Sequence, residues 1–402
     1  MSQFYDLART VERFWTSSDW LSERMLFLSG PRQVGKTTLV RSRLCPGDDA
    51  YFNWDHRGVR IRFLKDPDFF AATDSPWICF DEIHKRPKWK DILKGIYDTY
   101  KGRFRFVVTG SARLETFKKS GDSLAGRYFH THLFPINLPD FRKADFEFPR
   151  TPEDLIRKAA DLEDAKELEG LLTLGGFPEP FFKGSASFWK RWSVQHRDLI
   201  IQEDVRDLSR VMELDKMDVL LDMLQPSLGS PLSHRSLGLD LEASHNSVKR
   251  WLQVLNVVHL VFPVPPYSKN IRRSFKVEKK WYFTDWSQAT RNRFENFVAS
   301  SLSRAAQLYS DRFGEKMSLH YVRTHDGAEV DFLLCRGRDP WLLVEAKEGK
   351  PDLTSAVHRF SKELDVPAVV VTERSGIYKR WPAQGGRDLY AISWGKLGRL
   401  LP

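Results

Sequence analysis

Apolar and polar positions alternate in two different ways along this chain, and the change between them divides it. Over the first 145 residues, short apolar runs recur between helical stretches. Met25-Leu-Phe-Leu-Ser29, Ala50-Tyr-Phe-Asn-Trp-Asp55, Pro76-Trp-Ile-Cys-Phe80 and Phe104-Arg-Phe-Val-Val108 have the length and apolarity of strands buried in a parallel sheet. From Phe4 the pattern predicts an amphipathic helix leading into the first of these strands, with Phe14, Trp15 and Leu21 on its apolar side. Between 150 and 225 the period becomes helical, with Leu155-Ile156, Leu162, Leu168 and Leu171-Leu172, broken at Gly175-Gly-Phe-Pro178. Residues 226–290 predict two short helices, the second capped by Ser244, then two β-type runs, Val257–Phe262 and Lys280–Thr284, joined by a basic loop. The remainder predicts a helix from Phe294, strands at 319–323, 328–334 and 341–347, and a further core strand at Val369-Val-Val371. An α/β fold follows, with divisions at 1–148, 149–225, 226–290 and 291–402.

Composition narrows the class. With 402 residues, two to four domains are expected. Hydrophobic residues at 41% and charged residues at 29% are ordinary for a globular protein. No apolar run approaches the ~20 residues that span a bilayer, and the N-terminus lacks the basic and apolar regions of a signal peptide. A cytoplasmic protein with no membrane partner is expected. Cys45, Cys79 and Cys335, odd in number and far apart, predict buried thiols rather than disulfides or a zinc site. The net charge of +10 suits a polyanionic partner.

One motif carries the most chemistry. Gly30, Pro31, Arg32, Gln33, Val34, Gly35, Lys36, Thr37 and Thr38 fit G-x-x-x-x-G-K-[ST], with an apolar strand before and a helical stretch after. Such a loop surrounds a β-phosphate with backbone N–H groups. Lys36 then reaches the β- and γ-phosphates, and the Thr37 hydroxyl ligates Mg²⁺. The strand at Pro76 ends in Asp81-Glu82, placing one acid for the Mg²⁺ and a second to polarise the attacking water. The strand at Phe104 ends in hydroxyls, of which Thr109 or, preferentially, Ser111 is placed to sense a γ-phosphate. Arg113 and Arg127 are the candidates for stabilising the transferring phosphoryl group, in cis or from a neighbouring subunit. No N-K-x-D motif that reads guanine is present, so ATP is expected over GTP.

Taken in order, GPRQVGKTT, FDEIHKRPKW, VVTGSAR, LAGRYFHTHLFPINLPDF and GGFPEP resemble a large bacterial and archaeal family of AAA-type ATPases with a C-terminal domain of unknown function. The resemblance implies a P-loop core with an additional strand (ASCE), followed by a helical lid, and ATP hydrolysis. The chain departs from such ATPases in showing no clear second-sensor arginine in the lid.

The order of elements in 226–290 is that of a winged helix-turn-helix. Nine positive and four negative residues give this stretch +5 of the total charge. Lys249 and Arg250 on the second helix and Arg272 and Arg273 in the loop are where DNA phosphate contacts fall. An oligomerisation module with a solvated loop is the alternative. Farther on, Asp331 on one strand and Glu345-x-Lys347 ending the next have the spacing of the PD-(D/E)xK nuclease core. Asp331 and Glu345 are expected to share Mg²⁺ with Glu295 contributing from the helix, while Lys347 orients or deprotonates the attacking water. Three functions remain open. One is an ATP-dependent, homo-oligomeric enzyme that processes branched or double-stranded DNA. The second is a remodeller of forked DNA that does not cleave, and the third a regulatory switch that uses ATP turnover as a timer.

Overall fold

The computed structural model describes residues 7, 9–16, 23–110, 124–142, 149–206, 213–268, 278–382 and 386–402. They form two compact units. The first comprises Met1–Pro135 with Val257–His259, and the second Ile136–Asn256 with Leu260–Pro402. The expected boundary at 148 therefore lies 13 residues beyond the end of the first unit's main segment.

The first unit is built on five parallel strands: β1 (Met25–Ser29), β2 (Tyr51–Asn53), β3 (Trp77–Asp81), β4 (Arg105–Thr109) and β5 (Tyr128–His132), in the spatial order β2-β3-β4-β1-β5. Strand β4 separates β1 from β3, which is the additional-strand arrangement that the resemblance implied. Parallel strands covered on both faces must be apolar throughout, and β1 is buried at all five positions. Among the described residues of this unit the α-helices are α1 (Thr10–Thr16), α2 (Lys36–Arg43), α3 (Arg57–Lys65) and α4 (Trp89–Tyr100). Helix α1 covers part of the predicted N-terminal helix, and residues 17–22 of that prediction lie outside the described residues. Trp15 is buried as expected, whereas Leu21 lies outside the described residues. An aromatic core fills the unit, with Phe70 edge-on to Phe80 at 5.5 Å and to Tyr100 at 5.3 Å between ring centroids.

The second unit opens with a helical region as predicted: α5 (Pro152–Ala160), α6 (Leu168–Leu174), α7 (Pro178–Lys183), α8 (Ala186–Leu199) and α9 (Leu214–Leu224). Thr151 and Ser185 cap α5 and α8 with their hydroxyls. Helices α10 (His234–Asp240) and α11 (His245–Val257) follow, and the Ser244 hydroxyl accepts from the Ser247 N–H as anticipated. Strands β6 (Val261–Val264) and β7 (Lys280–Phe283) pair antiparallel. This hairpin does not stand apart as a free wing. After β6 the chain bridges to Tyr321 of the following sheet, where the Tyr267 N–H donates to the Tyr321 carbonyl at 2.7 Å.

That sheet has six strands, β8 (Met317–Arg323), β9 (Glu329–Arg336), β10 (Asp339–Lys347), β11 (Ala368–Thr372), β12 (Tyr378–Trp381) and β13 (Leu389–Ser393), in the order β12-β13-β11-β10-β9-β8. Strands β8, β9 and β10 form an antiparallel meander, and β11 runs parallel to β10. The 21-residue helix α12 (Arg293–Phe313) precedes the sheet, and α13 (Ser355–Leu364) makes the crossover from β10 to β11. A short α14 (Trp394–Leu397) lies near the C-terminus.

Candidate functional sites

At the C-terminal edge of the first sheet, β1 runs into the phosphate loop. Gly30 has φ +145°, and a Cβ there would lie 2.1 Å from the Leu133 carbonyl oxygen, so no other residue fits. Gly35, at φ +99°, turns the chain into α2, whose first residue is Lys36. The Lys36 ammonium donates to the carbonyls of Gly30 at 2.8 Å and Pro31 at 2.7 Å, lying across its own loop where phosphate oxygens would compete for it. Arg32, Gln33 and Thr38 are at least partly accessible around it, while Val34 is buried beneath.

Strand β3 brings its acids beside this loop because only β4 lies between it and β1, and β4 pairs in parallel register with both. The Thr37 hydroxyl donates to Asp81 Oδ2 at 3.1 Å. Asp81 also accepts from the hydroxyls of Tyr51 and Thr109. Thr109 is therefore committed to orienting Asp81, and the strand order that makes β2 and β4 flank β3 explains both contacts. The two hard oxygen donors of Thr37 and Asp81 suit Mg²⁺, which takes one or two protein oxygens together with phosphate oxygens and waters. Glu82 follows at φ +58°, an uncommon conformation for a residue with a side chain. Its carboxylate lies 3.3 Å from Lys85 and 3.5 Å from His84. Burial raises its pKa above the usual glutamate value, against the lowering effect of Lys85.

Of the two candidate arginines, Arg127 alone lies among the described residues. Arg127 makes a bidentate pair with Asp98 of α4, at 2.9 and 3.0 Å. It precedes β5, whose Tyr128 is level with Met25 at the start of β1, whereas the loop follows the end of β1. Arg127 thus stands one strand length, roughly 16 Å, from the loop and does not reach it within the same chain. Ser111 and Arg113 lie outside the described residues. Sequence reasoning missed Arg9, buried and donating to the Val34 carbonyl at 3.4 Å and to Phe134, because an isolated arginine before a short helix carries no motif.

The second unit contains a cluster of acids and lysines. Backbone pairing of β9 with β10 runs to Phe332 opposite Val344. Beyond that point carboxylates replace carbonyls: Glu345 Oε2 accepts from the Asp331 N–H at 3.2 Å, and Asp331 Oδ2 from the Ala346 N–H at 2.9 Å. Lys347 lies 2.7 Å from Glu345 Oε1. Glu295, in the first turn of α12, accepts from the Tyr282 hydroxyl at 2.7 Å. The expected four residues are thus brought together, with additions from β7 that no motif signalled. The Lys280 ammonium lies 2.5 Å from Glu329 and 3.7 Å from Asp331 Oδ1, with its side chain wholly buried. Lys280 and Tyr282 share one face of β7 by the two-residue period, and so do Glu329 and Asp331 on β9.

Electrostatics follow from this crowding. Burial, then the charge of Asp331, push Glu295 up to about 7. Glu345 is raised by burial and by Asp331, against Lys347. Asp331 is raised by burial, against Lys280. Burial alone would lower Lys280, but Asp331, Glu295 and Glu329 outweigh it and the net direction is up. All four oxygens of Asp331 and Glu345 face a donor or cation of this chain. Among the described residues, no three His, Cys, Asp or Glu side chains form a group able to hold a metal. The cluster as it stands does not fit Mg²⁺.

On α11, Val248, Trp251, Leu252 and Leu255 are buried, so Lys249 and Arg250 are left exposed on the opposite face. Arg272 and Arg273 lie outside the described residues. The three cysteines are buried and free, as expected. No described helix is long and apolar enough to cross a membrane.

Residues 22–142 match the family model described as an AAA domain, so the chain carries an AAA-type ATPase domain. Residues 165–291 and 292–386 match two domains of unknown function, DUF8612 and DUF4143. An uncharacterized protein of Methanocaldococcus jannaschii is 25% identical over 333 residues, covering 78% of this chain and 73% of its own. Another, from Mycobacterium tuberculosis, is 25% identical over 364 residues, covering 86% and 76%. The Thermotoga maritima RuvB Holliday junction branch migration motor is 15% identical, covering 65% of this chain and 94% of its own, with a TM-score of 0.30. A TM-score that low establishes no shared overall fold.

Proposed function

We propose that this chain binds and hydrolyses ATP with Mg²⁺ and uses the cycle to work on DNA. The observation that carries the ATPase reading is the meeting of Lys36, Thr37, Asp81 and Glu82 at one sheet edge. Mg²⁺ bound with ATP would neutralise phosphate charge beside Thr37 and Asp81. Lys36 exchanges the carbonyls of Gly30 and Pro31 for phosphate oxygens. Tyr51 and Thr109 keep the Asp81 carboxylate aimed at Thr37. Glu82, made more basic by burial and steadied by Lys85, accepts the proton of the attacking water. Removing the phosphate-reaching amine in Lys36→Ala is expected to abolish turnover. Glu82→Gln is expected to keep ATP binding and slow phosphate release by about 10²- to 10⁴-fold. Phosphate release from Glu82→Gln at the wild-type rate would show that the base lies elsewhere.

The DNA reading rests on the net charge of +10 and on the exposed Lys249 and Arg250 of α11, the second helix of a winged-helix order. Helix α12, the β8–β9–β10 meander and Glu295, Asp331, Glu345 and Lys347 support a nuclease-like C-terminal core. Because Lys280 and Lys347 already lie against oxygens of its acids, we favour a core that grips branched or forked DNA over one that cuts it. Incubating the full chain with linear, forked and four-way DNA, with and without Mg²⁺ and ATP, separates these. Mobility shifts without fragments support the gripping form. Fragments that vanish in Asp331→Ala but persist in Lys36→Ala would establish cleavage instead. Absence of any shift at low salt would end both, leaving an ATP-timed switch. Homo-oligomerisation belongs to the same reading: mixing Arg127→Ala with Lys36→Ala subunits is expected to restore activity if the finger acts in trans.

A further inference from the structure

We propose that Lys280 is the resident cation of the carboxylate cluster, occupying with its ammonium the position for which a divalent ion would compete at Asp331. This rests on the nuclease-like reading of the C-terminal core. The argument starts from solvation. A wholly buried ammonium is costly to desolvate and persists only where opposite charge surrounds it. Lys280 has that surrounding: Glu329 at 2.5 Å, Asp331 at 3.7 Å and the Tyr321 ring centroid at 5.3 Å. It does not belong to the strands that carry the acids. It arrives from β7, which is itself fixed to α12 where the Asn296 side chain bonds both the N–H and the carbonyl of Phe283, at 2.9 and 2.7 Å. The ammonium is therefore delivered by a clamped strand and not by a side chain wandering in from solvent.

The carboxylates show the complementary half. Glu295, Glu329, Asp331 and Glu345 bring four acids against the two ammonium groups of Lys280 and Lys347. Lys347 is partly exposed and lies 2.7 Å from Glu345, whereas Lys280 is enclosed beside the oxygen of Asp331 that accepts from no backbone N–H among the described residues. A divalent ion entering at Asp331 meets a fixed positive charge. Its affinity is lowered by that repulsion, which at low effective dielectric is large over a few ångströms. Lys280 in this role is a positioning and charge-setting residue, not one that touches substrate.

The test is Mn²⁺ binding by calorimetry to the full chain without nucleotide, in an Asp81→Asn background so that only the second unit is read. Lys280→Met is expected to bind Mn²⁺ at least about tenfold more tightly than the parent. Since that variant takes from Glu329 the nearer of two cations, leaving Arg323 at 3.4 Å, and can fail to fold, Lys280→Met/Glu329→Gln is measured beside it. The pair removes one charge of each sign, so the cluster's net charge is unchanged, and tighter binding then reports the loss of local competition at Asp331. Binding by either folded variant where the parent shows none supports the proposal equally. If the parent binds Mn²⁺ and loses it in Asp331→Ala, while both lysine variants bind no more tightly than the parent, the resident-cation role is overturned and the carboxylate-core reading stands. If no form binds Mn²⁺, both fall.

Discussion

Gly30 shows how much one position can constrain a site. Its left-handed backbone and the carbonyl of Leu133 leave no room for a methyl group, so Gly30→Ala must distort either the loop or β5. Strain of about 1–3 kcal/mol is expected, and it falls on the segment that wraps phosphate. ATP affinity measured by calorimetry should drop by at least about tenfold, with the far-ultraviolet dichroism unchanged. The conformation of Glu82 has the same origin: a carboxylate is held where an ordinary turn would place glycine or asparagine. Both residues were legible in the sequence as motif members. Tyr51 and Arg9 were not, because their roles depend on which strand lies next to which and on a carbonyl 25 residues away.

At the level of elements, α11 and α12 carry separate predictions. Lys249 and Arg250 project from the face of α11 opposite Val248, Trp251, Leu252 and Leu255. If that face meets phosphates, Lys249→Ala/Arg250→Ala should weaken DNA binding similarly for all sequences. The slope of log affinity against log salt should fall by about 2. An unchanged slope would move the DNA surface elsewhere. In α12, Glu295 is raised to about 7 from an ordinary value of 4.5. The folded form holds its proton more tightly than the unfolded chain does, so this stabilisation is complete below pH 4.5 and is lost as pH rises through 7. Asp331 and Glu345, raised in the same direction, add to the trend. The unfolding free energy of the second unit, read from denaturant titrations, should fall between pH 5 and 8, by up to about 3 kcal/mol from Glu295. Glu295→Gln should flatten that dependence. A slope that persists unaltered in Glu295→Gln would assign the titration to other groups.

Across the molecule, the segment after Pro135 belongs to the second unit, and its motif residues are structural. Asn137 and Asp140 form a reciprocal capping box, and Asp140 pairs with Arg304 of α12 at 2.8 Å, both buried. Removing one partner of such a pair strands a buried charge, so Arg304→Met should destabilise the second unit by about 3–5 kcal/mol. Arg304→Met/Asp140→Asn should recover part of that loss in thermal denaturation. Gly175 is likewise fixed by packing, since a Cβ would lie 2.5 Å from Asp285. The sequence by itself determined the phosphate loop, the acids at the end of β3, the helical region and the strands of the C-terminal meander. Each of these is written in local spacing: a glycine turn, an apolar run, or a period of two or 3.6. Only the tertiary structure decided that Arg127 faces Asp98 far from the loop, that the hairpin is bridged to the C-terminal sheet, and that Lys280 enters the acid cluster. Those outcomes depend on pairings between residues dozens of positions apart, and no local pattern encodes which buried charge will meet which.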